Sequence, residues 1–124
     1  MNKFIYCLAI ICLLSCTQEE ITPRSYPRVE THDATGITSL QVMLNGEITF
    51  TNVAVVEYGF VWTNSGFPTL ESGTKITLGS RKDAGSFTSE LTLTRRNTIY
   101  SIRAFARSAK TVVYGNMVEF TSIK

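Results

Sequence analysis

The chain has 124 residues, 44% of them hydrophobic, and twelve basic against ten acidic side chains give a formal net charge of +2. A charge that small does not mark a nucleic-acid binder. One histidine and three cysteines leave no zinc or copper ligand spacing.

Met1-Asn2-Lys3 makes a short positive start, and residues 4–14 form an apolar run of 11 residues. The run is too short to cross a bilayer and lacks helix caps, so it reads as the hydrophobic region of a secretory signal. Leu13-Leu14-Ser15-Cys16 follows directly. It resembles the bacterial lipobox, in which a signal peptidase cuts before the cysteine and that cysteine carries acyl chains. Residues 1–15 are therefore expected to be a cleaved lipoprotein signal peptide, with Cys16 the site of lipidation. Cys7 and Cys12 lie in the discarded part, so the mature chain has no internal disulfide. Acyl chains buried at about 0.8 kcal/mol per CH₂ would hold the protein on a membrane.

Residues 16–27 are polar and carry Pro23 and Pro27, a composition expected of a flexible tether. Glu19-Glu20 resembles the short acidic signals that send some gut-bacterial lipoproteins to the outer face of the outer membrane. The expected location is the outer membrane, with the cell surface favoured over a periplasm-facing anchor.

From residue 28 to 124 the chain reads as one domain with one core, strand after strand. Residues 28–33 predict a short edge strand. Residues 37–50 place Leu40, Val42 and Leu44 inward, then pass Asn45-Gly46 to Ile48 and Phe50. Residues 53–63 put Val56, Tyr58, Phe60 and Trp62 on one parity, with Val61 beside Gly59 on the other. A loop at 64–69 precedes a short strand at 74–78. After a polar loop at 79–85, Phe87, Leu91 and Leu93 mark another strand.

Residues 99–120 predict two strands joined by a tight turn at Ser108-Ala109-Lys110-Thr111. Tyr100, Ile102, Ala104 and Ala106 share one face of the first strand, and Ser101, Arg103, Phe105 and Arg107 share the other. Val112, Tyr114, Val118 and Phe120 follow one parity in the second, interrupted by Gly115-Asn116, where a bulge or a close backbone approach is expected. No segment keeps helical spacing with caps. The prediction is an all-β fold, a seven-stranded antiparallel β-sandwich. Trp62, Phe60, Phe87, Tyr100 and Phe120 are its expected large core residues, each contributing about 1.5–3 kcal/mol if fully buried.

Five segments in order, GEI at 46–48, EYGFVW at 57–62, FPT at 67–69, YSIRAFA at 100–106 and VYGNMVEF at 113–120, resemble the fibronectin type III-like domains of bacterial surface lipoproteins. The resemblance spans about residues 28–122. It implies a sandwich of the fibronectin type III or immunoglobulin type, with Tyr100 in a tyrosine corner, its hydroxyl bonded to backbone a few residues upstream. In one departure from that pattern, Leu93 to Tyr100 is a residue longer and Arg95-Arg96 replaces a proline-containing turn.

No catalytic constellation is found. A Ser-His-Asp triad would have to use His32, and His32-Asp33 reads as a polar surface pair. Asp33 and Asp83 are isolated, which disfavours calcium. Gly66, Gly73, Gly79 and Gly85 read as turn glycines, not a phosphate loop. No cofactor and no metal are expected. Residues 16–74 hold two basic and seven acidic groups, and residues 75–124 hold nine basic and three acidic. Arg81, Lys82, Arg95, Arg96, Arg103 and Arg107 would make an anion-binding patch if they met on one side. The favoured alternative pairs Arg103 with Glu57 across neighbouring strands and leaves the others solvated. Trp62, Phe67, Tyr58 and Tyr114 would make a sugar-stacking platform if exposed together, against the favoured reading of Trp62 as core.

The functional expectation is a lipid-anchored, non-enzymatic envelope domain that binds or spaces, through protein–protein or adhesive contacts. The alternative is a small carbohydrate-binding accessory lipoprotein; an envelope hydrolase would need a catalytic pair the chain does not offer. Expected partners are the membrane, through acyl chains on Cys16, and another envelope protein or a glycan, with no nucleic acid. The resemblance places the strand carrying Phe105 centrally in one sheet. Outward Phe105 flanked by Arg103 and Arg107 is then the expected interaction face, with the loops at 64–69 and 79–85 next.

Overall fold

The computed structural model describes residues 26–124. Eight strands follow one another: β1 (Arg28–Thr35), β2 (Gln41–Phe50), β3 (Val55–Thr63), β4 (Thr74–Arg81), β5 (Gly85–Thr92), β6 (Ile99–Arg107), β7 (Val112–Tyr114) and β8 (Val118–Thr121). All pairings are antiparallel. One sheet runs β1-β2-β5, the other β4-β3-β6-β7, with β8 also on β6. The protein is an all-β sandwich, as its alternation predicts.

The expected seventh strand is divided into β7 and β8, which pair with opposite halves of β6. The cause is the close approach foreseen at Gly115-Asn116. A Cβ on Gly115 would stand 2.6 Å from Thr31 Oγ1 and 2.9 Å from Thr31 N, so only glycine fits beside β1. Asn116 then substitutes for a strand backbone. Thr31 N donates to its Oδ1 at 2.9 Å, and its Nδ2 donates to Thr31 O at 3.0 Å. Buried Thr31 completes the tie by accepting Ala104 N at 2.8 Å through its own hydroxyl. These bonds satisfy edge backbone groups that would otherwise be buried unpaired and join the two sheets along one side.

Between the sheets lie Val42, Leu44 and Ile48 from β2, Phe60 from β3, Phe87 and Leu91 from β5, and Tyr100, Ile102, Ala104 and Ala106 from β6. Gly46 faces Ala104, and a Cβ there would lie 3.0 Å from the alanine methyl and from the Phe87 ring. Small residues let the sheets draw together at this point. The aromatic rings interlock around it: Tyr58 meets Phe87 edge-on at 5.0 Å, Phe60 lies 5.2 Å from Phe87, and Tyr100 stacks on Phe120 at 5.4 Å. Trp62 packs against Tyr100 at 5.7 Å and is only partly buried.

Tyr100 makes a corner with the β5–β6 turn. Arg95 N donates to its hydroxyl at 3.3 Å, and the hydroxyl donates to Arg95 O at 3.4 Å. The longer turn closes because Asn97 takes a left-handed conformation, φ 53°, which asparagine tolerates better than most residues.

Strict alternation misplaces three apolar residues. Leu40, Phe50 and Val56, expected inward, are exposed. Leu40 precedes the first pleat of β2, and Phe50 lies beyond the end of the β2–β5 pairing at Ile48. Val56 sits at a register shift between Val55 and Tyr58, which turns Val55 inward in its place. The loop expected at 79–85 shrinks to residues 82–84, because β4 continues to Arg81 and β5 begins at Gly85.

Candidate functional site

Along the outer face of the five-stranded sheet the register sets Glu57 opposite Arg107, Gly59 opposite Phe105 and Val61 opposite Arg103. Arg103, Phe105 and Arg107 do share that face, yet Phe105 is 0% exposed and is not a docking spot. Its cross-strand neighbours are Gly59, which has no side chain, and Tyr114. The sheet also carries a cover that alternation could not reveal. The segment between β3 and β4 lies back over it, with Pro68 buried and Gly73 against Val61.

Arg103 holds that cover down. Its guanidinium is 4.4 Å from the centroids of both Phe67 and Tyr114, a double cation–π contact. Its Nε donates to Gly115 O at 3.1 Å and its Nη1 to Pro68 O at 3.4 Å. Leu70 N donates to the Tyr114 hydroxyl at 2.9 Å, so β6 and β7 grip the segment from below. Burial pushes the Arg103 pKa down. The guanidinium is engaged inside a structural stack, and what the stack offers to solvent is Phe67, 56% exposed.

The expected Arg103–Glu57 pair is not formed. Register brings Arg107 to Glu57 instead, Nε to Oε1 at 3.1 Å, and Lys75 of β4 reaches Oε2 at 2.8 Å. Thr77 donates to the same Oε2 at 2.7 Å. The hydrogen bond from Lys75, then those from Thr77 and Arg107, lower the Glu57 pKa from 4.5 to about 2 against the opposing effect of burial. A carboxylate whose folded pKa is depressed stabilises the fold above its unfolded value and loses that contribution as pH falls toward the folded one. Acid titration of stability should therefore show a decline between about pH 4.5 and 2 that Glu57→Gln flattens; parallel parent and variant curves would refute the role.

The six basic residues do not make one patch. Arg81 and Lys82 lie where β4 gives way to β5, whereas Arg95 and Arg96 lie in the β5–β6 turn at the other end of β5. Arg81 is further occupied, 5.3 Å from the Tyr58 ring. The four aromatics also part company. Tyr58 and Trp62 pack against the core, while Phe67 and Tyr114 flank Arg103 on the outer face. Tyr100, Phe60 and Phe120 are core residues. Cys16, the expected lipidation residue, lies outside the described residues.

One grouping was not visible in the sequence. On the outer face of the three-stranded sheet, Glu30, His32 and Glu47 bring their ligand atoms within 4.8 Å of one another. His32 also borders a shallow depression shared with Asp33, Asn45, Ser86 and Thr88. The adjacent Asp33, its expected partner, is not in the group. Residues two apart on β1 share a face, so Glu30 joins His32 and register supplies Glu47.

No family model matches the chain, and no curated protein matches it. Among solved structures it is similar to the sensor domain of the anti-sigma factor RsgI4 in Pseudobacteroides cellulosolvens. One structure of that domain aligns with TM-score 0.58 and 11% identity over 82% of this chain and 98% of that one. A solution structure aligns with TM-score 0.57 and 12% identity over 79% and 76%. At this identity the likeness is one of fold: the chain shares its two-sheet β architecture with that sensor domain.

Proposed function

We propose that the protein is a lipid-anchored, non-catalytic domain of the bacterial cell envelope, of the fibronectin type III-like kind found in surface lipoproteins, that binds or spaces another envelope protein. The observation that carries this reading is the order of parts. An apolar run ends in Leu13-Leu14-Ser15-Cys16, a polar proline-bearing stretch follows, and a sandwich begins at Arg28. The polar side chains on the outer face of the five-stranded sheet are consistent with it, because Glu57, Arg103 and Arg107 are taken up in contacts within the chain. With Phe105 buried, the 64–69 loop and its exposed Phe67 become the first docking candidate. A single exposed ring beside structural aromatics favours a protein partner over the glycan alternative. Cys16→Ala tests the anchor. The variant should lose acyl labelling and move from the membrane to the soluble fraction, and partition equal to the parent would overturn the reading.

A further inference from the structure

We propose that Glu30, His32 and Glu47 form a binding site for a divalent transition-metal ion, zinc in the first instance, on the outer face of the three-stranded sheet. Glu30 and His32 stand two residues apart on β1, and Glu30 lies directly opposite Glu47 of β2 in the register. Two carboxylates directly opposite across a ladder repel, and a dication between them removes that cost. The imidazole is already placed among them. His32 Nε2 is 3.1 Å from Glu47 Oε1, and Nδ1 is 4.0 Å from Glu30 Oε1.

Adjacent ligands of a tetrahedral zinc ion with bonds of about 2.0–2.1 Å stand about 3.3 Å apart. The His32–Glu47 separation of 3.1 Å is a hydrogen bond here, and a zinc ion would take the place of its proton with little change in that spacing. Glu30, its side chain 55% exposed, faces Nδ1 at 4.0 Å and would have to turn toward the Nε2 side to supply the third ligand, with water in the fourth position. One nitrogen and two oxygens select zinc, nickel or copper over calcium and magnesium, which prefer all-oxygen shells. Two carboxylates and a neutral imidazole also balance the charge of the ion.

The backbone beneath is well held. Glu47 lies on the central strand, paired to both β1 and β5. Just beyond His32, Asn45 Nδ2 donates to Asp33 O at 2.9 Å and to Thr35 Oγ1 at 3.1 Å. That amide pins the register shift in β1 and fixes where the strand turns away from the site.

The test is calorimetric titration of zinc chloride into the full chain, purified in detergent with any thiol left unacylated or uncleaved blocked by alkylation. One zinc should bind per chain. His32→Gln and Glu47→Gln should each weaken binding at least tenfold, Glu30→Gln should weaken it less, and Asp33→Asn should leave it unchanged. Excess magnesium should not compete. Each variant's melting temperature without zinc is compared with the parent's, so that loss of binding is read from folded protein. Should a variant fail to fold, nickel added to the parent gives an independent reading, broadening the amide signals of residues 30–33 and 45–47 before others. Absence of saturable zinc binding, full binding by folded His32→Gln and Glu47→Gln, or nickel broadening centred elsewhere would overturn the site and leave the cluster a hydrogen-bonded surface group only.

Discussion

Phe105→Ala is expected to destabilise the domain by about 3–5 kcal/mol, the range for removing a phenylalanine ring from a packed interior. An exposed phenylalanine truncated to alanine would change stability by only about 0.5 kcal/mol. The two cases are far enough apart for a denaturant titration to separate them. The ring stands on the face of β6 that points away from the sandwich core, yet it is 0% exposed. It lies one pleat along from Arg103, opposite Gly59 and beside Tyr114. Removing it leaves a cavity that a hydrogen-bonded sheet cannot collapse to fill. The midpoint should fall with little change in slope; an unshifted midpoint would mean that this face is open. Loss of partner capture by such a variant would report damage to the fold rather than a contact residue.

Gly59→Ala should be as damaging, by about 3 kcal/mol or more, at the upper end of what overpacking costs. A Cβ on Gly59 would run into the carbonyl oxygen of Ile76 on the neighbouring strand and would sit 3.0 Å from its carbon. A side chain in the way could rotate aside, but a carbonyl in a strand ladder cannot move without breaking its pairing. The site coincides with a register shift between Tyr58 and Gly59 in the β3–β4 ladder, so the strain falls on β4. Hydrogen exchange should lose protection first across Thr74–Arg81, with β1 and β2 the last to follow. Retained protection in β4 would show that the bulge absorbs the methyl group.

The inner faces were legible because a period of two is a property of single strands. Val42, Leu44 and Ile48, or Tyr100, Ile102 and Ala104, declare their side without reference to any neighbour. The break at Gly115-Asn116 was legible for a similar reason, since glycine inside an apolar alternation signals close approach. The outer face was not. Whether Phe105 meets water depends on a loop without periodicity folding over the sheet, and on a glycine in another strand standing opposite. The partner of Glu57 depended on register, which a displacement of four residues along β6 separates into Arg103 or Arg107. The Glu30–His32–Glu47 grouping needs strand pairing too, because Glu30 and His32 share a face of β1 but Glu47 joins them only through the β1–β2 register.

The Asn116 tie gives the domain an uneven response to tension. A pull entering at Arg28 meets the β1–β2 ladder at its end, where bonds yield singly, as in a zipper. At Thr31 the situation changes, because its N–H and carbonyl are held by Asn116 and its hydroxyl by Ala104 N. Those three bonds span both sheets and must yield together before β1 can peel further. The domain can therefore give slightly at its first residues, then stiffen abruptly. An amide side chain at the far end of the sequence serves as the catch.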